Sequence, residues 1–118
     1  MSGTELVGAW HLESFHDVLG DTRGEGPLGP APTGLLIYSA DGHVAVTMAG
    51  TGFMGYAGSW RRDADRVLHT ISVAPEAAWV GSVQVRDVRL SGDRLVLVGR
   101  GPSGSPVRRE LTWRRAAS

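Results

Sequence analysis

The sequence predicts an all-β protein, an eight-stranded antiparallel up-and-down β-barrel. Eight short strand-like runs follow one another along the 118 residues, and no amphipathic segment of helix length separates them. Turn-forming residues lie between the runs, and every connection except the first is short. Eight antiparallel strands are about the number that closes a small barrel around one small ligand. The barrel interior is therefore the predicted place of function.

The first predicted strand is Leu6–His16, and the long connection Asp17–Thr33 follows it. This connection is too rich in glycine and proline to form a helix. Long loops in compact domains are usually functional lids or disordered segments. Two interpretations stay open: Leu19 and Leu28 cap a mouth of the barrel, or the loop wraps around the outside.

The second and third predicted strands, Gly34–Ser39 and His43–Ala49, are joined by a tight turn with the sequence Ala-Asp-Gly. The next connection, Gly50–Gly55, places Phe53 and Met54 among glycines. These two side chains either contact a ligand or partner or pack into the core. The same segment matches G-x-G-x-x-G, but a dinucleotide-binding motif must open a helix, so we reject that interpretation.

The second half of the chain alternates strands with short turns rich in Gly, Asp, Ser and Pro. The remaining predicted strands are Tyr56–Arg61, Val67–Val73, Trp79–Leu90, Arg94–Arg100 and Val107–Arg114. Apolar residues occupy both faces of Arg94–Arg100, which leaves a homodimer contact open. No linker or internal repeat interrupts the pattern, and we expect one domain over residues 1–118.

The composition removes several classes of function. The formal net charge is 0, which argues against nucleic acid or an anionic membrane surface as partner. The chain contains no cysteine and no lysine, which removes thiolate nucleophiles, sulfur-ligated zinc and side-chain Schiff bases. No apolar run reaches the length of a membrane-spanning helix, and residues 1–5 show no signal-peptide pattern, so we expect a cytoplasmic protein.

Strand alternation assigns side chains to the two faces of the sheet. The residues predicted to face inward are Trp10, Leu12, Ser14 and His16; Tyr56, Gly58 and Trp60; Val67, His69, Ile71 and Val73; Gln84, Arg86, Val88 and Leu90; and Val107, Arg109, Leu111 and Trp113. His11, Glu13 and Phe15 are predicted to face outward. A bulge could reverse part of the Gln84 strand.

Three of these inward residues are candidate catalytic groups. His69 is the best general base, because histidine titrates near neutrality. Arg86 and Arg109 could bind a carboxylate or stabilise an enolate oxygen. The alternatives are a hydrogen-bonded wall histidine and arginines that reach solvent at a rim. The candidate ligand-binding residues are His16, Tyr38, Met48, Phe53, Met54, Tyr56, Trp60, Trp79 and Gln84. We expect no metal and no cofactor, because the histidines and acids suggest too few ligands for a metal site.

Several segments together resemble the small bacterial and fungal lipocalin-like domain family. They lie in a matching order along nearly the whole chain, at Leu6–Phe15, Pro27–Pro30, Pro32–Tyr38, Asp41–His43, Tyr56–Gly58, Trp79–Arg86, Gly92–Leu95 and Leu111–Arg114. The connection Gly50–Gly55 is shorter than in many relatives, which could reshape one mouth. The resemblance implies a calycin-type, lipocalin-like barrel that holds a small, largely apolar molecule. Barrels of similar architecture act as cofactor-free cyclases in secondary metabolism, including catalysts of [4+2] cycloaddition, and that analogy rests on fold alone.

Two functions remain open. In the first, the barrel folds a flexible polyketide-like substrate into a reactive conformer, as a cofactor-free cyclase or isomerase of natural-product biosynthesis. In the second, the protein is a non-catalytic carrier or sequestering protein. Both predict a small hydrophobic molecule in the barrel, and neither predicts a nucleic acid or membrane partner.

Overall fold

Nine antiparallel β-strands form one sheet in a computed structural model that describes residues 4–100 and 105–116. The strands are β1 (Gly8–Leu19), β2 (Thr22–Glu25), β3 (Thr33–Tyr38), β4 (His43–Ala49), β5 (Phe53–Asp63), β6 (Arg66–Val73), β7 (Val83–Ser91), β8 (Arg94–Arg100) and β9 (Arg108–Arg115). Two short 3-10 helices, Thr4–Leu6 and Ala77–Trp79, complete the regular structure of the described residues.

The sheet closes because the long strand β1 has partners on both edges. One edge pairs with β9, from Trp10 opposite Arg115 to Val18 opposite Arg108. The other edge pairs first with β3 and then with β2. Strands β1 and β3 to β9 thus form a closed eight-stranded barrel with sequential neighbours, and β2 lies beside it. The predicted all-β, up-and-down barrel is confirmed.

The long connection after β1 contains features of both interpretations left open by the sequence. Its first three residues instead extend β1 as far as the exposed Leu19, and β2 follows, paired with the end of β1. Its second part inserts Leu28 into the hydrophobic core. The backbone N–H of Thr51, in the β4–β5 turn, donates to the Leu28 carbonyl at 3.0 Å. The connection therefore wraps the barrel and also covers part of one end.

The connection between β6 and β7 corrects one predicted strand boundary. The sequence predicted a strand from Trp79, but β7 begins at Val83. The segment Ala77–Trp79 instead forms a 3-10 turn, in which the Trp79 N–H donates to the Glu76 carbonyl. Gly81 then adopts a φ of +88°, a left-handed value that glycine adopts without strain. Trp79 consequently belongs to a loop at the barrel end.

A β-bulge in β1 overturns part of the predicted facing. The pairing of β1 with β9 shifts register between Leu12 and Ser14. One extra residue reverses the alternation, so Phe15 is buried although it was predicted to face outward. The prediction that Ser14 and His16 face inward with Trp10 is wrong for the same reason. His16 lies on the other side, where its Nδ1 is 3.1 Å from the carbonyl of Gly24.

The predicted facing of the later strands is confirmed with one exception. Val67, His69 and Ile71 on β6 are buried, and β7 and β9 alternate as expected. Val73, predicted to share the inward face, is exposed. The pairing of β5 with β6 shifts register here, so that Gly58 lies opposite Ile71 but Ala57 lies opposite Val73. The extra residue in β6 turns Val73 to the outward face.

One end of the barrel, which we call the closed end, is filled by side chains. Leu6, Trp10, Val67 and Leu95 have no exposed surface, and Trp113 is almost as deeply buried. The indole N–H of Trp10 donates to the Leu6 carbonyl at 3.0 Å, which holds the N-terminal 3-10 helix beneath the barrel. Burial of these side chains is the main apolar stabilisation of this end.

Candidate functional site

A cavity of about 380 Å³ occupies the barrel toward the end opposite the N-terminal 3-10 helix. This volume lies within the usual range for small-molecule sites. Its apolar lining consists of Phe15, Leu36, Val46, Met48, Met54, Gly55, Ile71, Trp79, Leu97, Leu111 and Trp113. Its polar lining consists of Tyr56, His69, Gln84, Arg86, Arg100 and Arg109.

The polar and apolar residues are distributed unequally around the wall. All six polar residues come from β5 to β9, whereas the lining residues of β1, β3 and β4 are apolar. Strand alternation accounts for most of these inward side chains, and the bulge in β1 accounts for Phe15. A bound molecule therefore meets one apolar side and one side with positive charge and hydrogen-bonding groups.

His69 lies between two tyrosine hydroxyl groups. Its Nε2 is 2.6 Å from the hydroxyl oxygen of Tyr38 on β3, and its Nδ1 is 2.6 Å from that of Tyr56 on β5. Burial lowers the pKa of His69 to about 3, and the nearby positive charge of Arg86 contributes. The imidazole is therefore neutral at pH 7. Burial also raises the pKa of Tyr56 and, more strongly, of Tyr38, so both phenols are protonated.

Arg86 is a half-buried cation at the cavity wall. Its Nη1 donates to the carbonyl of Val85 and its Nη2 donates to Oε1 of Gln84. No carboxylate of residues 4–100 or 105–116 lies within 4.0 Å of its guanidinium. A half-buried guanidinium paired only with neutral acceptors can bind a carboxylate or an enolate oxygen.

Arg109 has an acidic neighbour that the sequence analysis missed. Asp17 on β1 lies opposite Arg109 on β9, with Oδ1 3.6 Å from Nε. This distance is longer than a hydrogen bond, but the negative charge of Asp17 still partly offsets the positive charge of Arg109. The bulge in β1 turns Asp17 to the same side as Phe15, and strand alternation alone does not indicate this. Arg100, also missed, lines the cavity and is exposed.

The structure brings together eight of the twelve predicted site residues. Those that line the cavity are Met48, Met54, Tyr56, His69, Trp79, Gln84, Arg86 and Arg109. The other four lie elsewhere. Tyr38 lies behind His69 and packs on Trp60, with ring centroids 4.7 Å apart. Phe53 is exposed near the β4–β5 turn, and His16 faces away from the cavity toward β2.

Trp113, which was predicted to face inward, adds a further polar group to the cavity. Its side chain is buried and lines the cavity. Its indole Nε1 has no hydrogen-bond partner among the described residues. A buried N–H without an acceptor is unfavourable in free energy. A ligand that accepts a hydrogen bond from this N–H would therefore bind more tightly.

His, Asp and Glu side chains in the described ranges form no group of three or more that could hold a metal ion. Within the same part of the chain, no helix has the length and apolar character needed to cross a membrane.

Comparison with known proteins agrees with this geometry. The sequence pattern of the lipocalin-like domain matches residues 49–116, which is more than half of the chain. No curated protein matches the sequence significantly. The matched segment contains β5 to β9 and therefore all the polar residues of the cavity. A lipocalin-like barrel with an internal cavity is consistent with binding of a small molecule. The chain belongs to the lipocalin-like domain family.

Proposed function

We propose that the protein binds a small, largely hydrophobic metabolite that carries an acidic or enolic oxygen, and that it acts on this molecule as a cofactor-free cyclase or isomerase. The observation that supports binding is Arg86, a half-buried cation at the wall of a mainly apolar cavity, with no carboxylate of the described residues within 4.0 Å. Because desolvation strengthens electrostatic interactions, an anionic oxygen beside Arg86 would be bound more tightly there than in water.

The proposed chemistry needs confinement and hydrogen bonding but no nucleophile. The described lining residues include no carboxylate and no aliphatic hydroxyl group. A [4+2] cyclisation suits such a wall, because two carbon–carbon σ bonds replace two π bonds and no atom or electron leaves the substrate. Holding a flexible chain in a near-attack conformer contributes several kcal/mol to such a reaction. Hydrogen bonds to a carbonyl conjugated with the reacting bonds would add electrostatic stabilisation.

A non-catalytic carrier is the second candidate, and one observation favours it. Both ring nitrogens of His69 already have tyrosine partners, so this residue has no free nitrogen to act directly as a base. An amphipathic cavity is sufficient for transport or sequestration without any turnover.

Calorimetric titration with 2-naphthoate and its neutral analogue 2-naphthamide tests the binding site. We expect the protein to bind the anion more tightly than the amide. We expect Arg86→Met to reduce that preference about tenfold, because the variant loses one hydrogen bond to a charged group. Arg89→Met is the matched control, because Arg89 is on the same strand and faces solvent. An unchanged preference in Arg86→Met would contradict the proposed site.

Turnover separates the two candidate functions. A linear polyene ketone with a diene and a dienophile is incubated in large molar excess over the protein, and the cyclised product is quantified by mass spectrometry. More product than protein, beyond the uncatalysed rate, supports a cyclase. Stoichiometric binding with no acceleration supports a carrier.

A further inference from the structure

The chain of hydrogen bonds Tyr38–His69–Tyr56 joins three strands around the deepest polar point of the cavity. His69 is 2% exposed, and each of its ring nitrogens is 2.6 Å from one hydroxyl oxygen. A neutral imidazole has one N–H donor and one bare nitrogen acceptor. One tyrosine must therefore donate its proton to His69 while the other accepts a proton from it.

The two tyrosines have different surroundings, and this difference decides the direction. Tyr38 is 1% exposed and lies outside the cavity lining, and His69 Nε2 is its hydroxyl's only hydrogen-bond partner among the described residues. Tyr56, in contrast, lines the cavity. If Tyr38 accepted a proton from His69, its own O–H would be buried without an acceptor, which is strongly unfavourable.

We propose that Tyr38 donates to His69 Nε2, that His69 Nδ1–H donates to Tyr56, and that Tyr56 in turn directs its O–H into the cavity as a donor for a ligand oxygen. Tyr56 then contacts the ligand, and Tyr38 and His69 are positioning residues. This inference deepens the proposed function and rests on it. It narrows the ligand class to molecules with a carbonyl, enolate or carboxylate oxygen at this point.

The remaining polar groups of the cavity favour the same class of ligand. The Oε1 atom of Gln84 already accepts from Arg86. In the proposed direction, the Tyr56 oxygen and the bare nitrogen of His69 also accept one hydrogen bond each. The Arg86 guanidinium and the indole N–H of Trp113 are further donors. The described wall therefore offers mainly donors. A carbonyl or carboxylate oxygen suits it better than a hydroxyl group, whose own O–H would need an acceptor.

Nitrogen NMR of the imidazole tests the direction without any ligand. Protein labelled with ¹⁵N-histidine is measured at neutral pH by long-range proton–nitrogen correlation, and His69→Gln assigns the signal. We expect a neutral ring protonated at Nδ1, which is the rarer tautomer. A ring protonated at Nε2 would overturn the proposed direction, whatever the protein binds.

A pair of probes of similar shape tests the ligand class. Affinities are measured for 2-acetylnaphthalene, which has a carbonyl acceptor, and for 2-ethylnaphthalene, which has none. We expect the wild-type protein to bind the ketone roughly tenfold more tightly than the hydrocarbon, which corresponds to the usual free energy of one hydrogen bond. We expect Tyr56→Phe to lose most of that preference while still binding the hydrocarbon. Arg89→Met is the control, because Arg89 faces solvent on β7 and lies outside the cavity lining and the tyrosine–histidine chain.

The outcomes separate this inference from the proposed function. If both probes bind equally to wild type and to Tyr56→Phe, the cavity binds apolar molecules and the proposed donor role of Tyr56 is wrong. If neither probe binds but the imidazole ring is protonated at Nδ1, the proposed direction of the Tyr38–His69–Tyr56 hydrogen bonds is correct. The proposed function is then wrong, together with the ligand class that rests on it.

Discussion

Arg86 on β7 lies directly against Gly99 on β8. A Cβ atom placed at position 99 would be 2.6 Å from Nε of Arg86, which is closer than a real Cβ contact. The two residues belong to neighbouring strands whose pairing includes Asp87 opposite Val98. The missing side chain at position 99 therefore provides the space in which the guanidinium lies at the cavity wall.

We predict that Gly99→Ala weakens the binding of anionic probes without unfolding the protein. The backbone at Gly99 is not in the left-handed region, so alanine is tolerated there, and the crowded atoms belong to a flexible side chain. We expect the preference for 2-naphthoate over 2-naphthamide to fall several-fold, since Arg86 is displaced, and the unfolding free energy to change by less than about 1 kcal/mol. An unchanged preference would show that Arg86 does not need this space.

Stability is expected to depend on pH through His69. Its pKa is about 3 in the folded protein, against 6.5 for an ordinary histidine. Between these values the unfolded chain binds a proton that the folded protein does not, so the unfolding free energy decreases as the pH falls from 6.5 toward 3. The contribution is fully present above pH 6.5, and its slope approaches about 1.4 kcal/mol per pH unit.

Urea unfolding between about pH 5 and 6.5 measures this slope, because few carboxylates titrate there. We expect His69→Gln to have a flatter dependence on pH than the wild type. The three other histidines, His11, His16 and His43, are at least partly exposed and are common to both proteins. Parallel curves for the two proteins would contradict the assignment of a depressed pKa to His69.

Arg115 is predicted to stabilise the closed end of the barrel. Its guanidinium lies 4.2 Å from the ring centre of Trp10 and donates to the carbonyls of Val7 and Glu5. We expect Arg115→Ala to lower the unfolding free energy by about 1–3 kcal/mol, because a cation–π contact and two hydrogen bonds are lost.

Arg114→Ala is the matched control for this prediction. Arg114 is the adjacent residue, and it makes an exposed ion pair with Glu13 at 2.9 Å. Such pairs contribute about 0–1 kcal/mol. Chemical denaturation compares the two variants, and equal losses would rule out a special role for Arg115. Neither variant should alter probe affinity, since both residues lie away from the cavity lining.

Gly58 is predicted to be intolerant of any side chain. It follows a register shift between β5 and β6, and a Cβ atom there would overlap the backbone carbonyl of Thr70. We expect Gly58→Ala to destabilise the protein by about 1–3 kcal/mol or more, because the neighbour is backbone and cannot rotate away. Gly24→Ala is the control, with its nearest contact at 3.8 Å. Thermal unfolding that shows similar small changes for both variants would contradict the prediction.

Strand alternation was sufficient to predict which side chains face the barrel interior where the strands are regular. On β9 the period of two correctly separated Arg109, Leu111 and Trp113 from the outward residues, and on β7 it placed Gln84 and Arg86 inward. The reason is local, because successive side chains of an extended backbone must point to opposite faces. Most of the predicted cavity residues therefore followed from the sequence.

The bulge in β1 shows where local reasoning fails. Nothing in the alternation of residues 10–16 indicates an extra residue at Glu13, because the bulge is a property of the pairing between β1 and β9. Its effect extends to the candidate site, since it turns Phe15 and Asp17 toward the barrel interior and His16 away from it. Trp79 is a similar case, because the turn that carries it was predicted as strand.

The sequence by itself determined the all-β barrel, the number of its strands and most of the side chains that face its interior, because these depend on local periodicity and on turn residues. The tertiary structure alone decided which polar groups meet. Tyr38, Tyr56 and His69 lie on three different strands, and Gly99 is 13 residues from Arg86 in the chain. Strand pairing in the folded sheet brings them within contact distance, because the partners of a side chain depend on strand register and not on its neighbours in sequence.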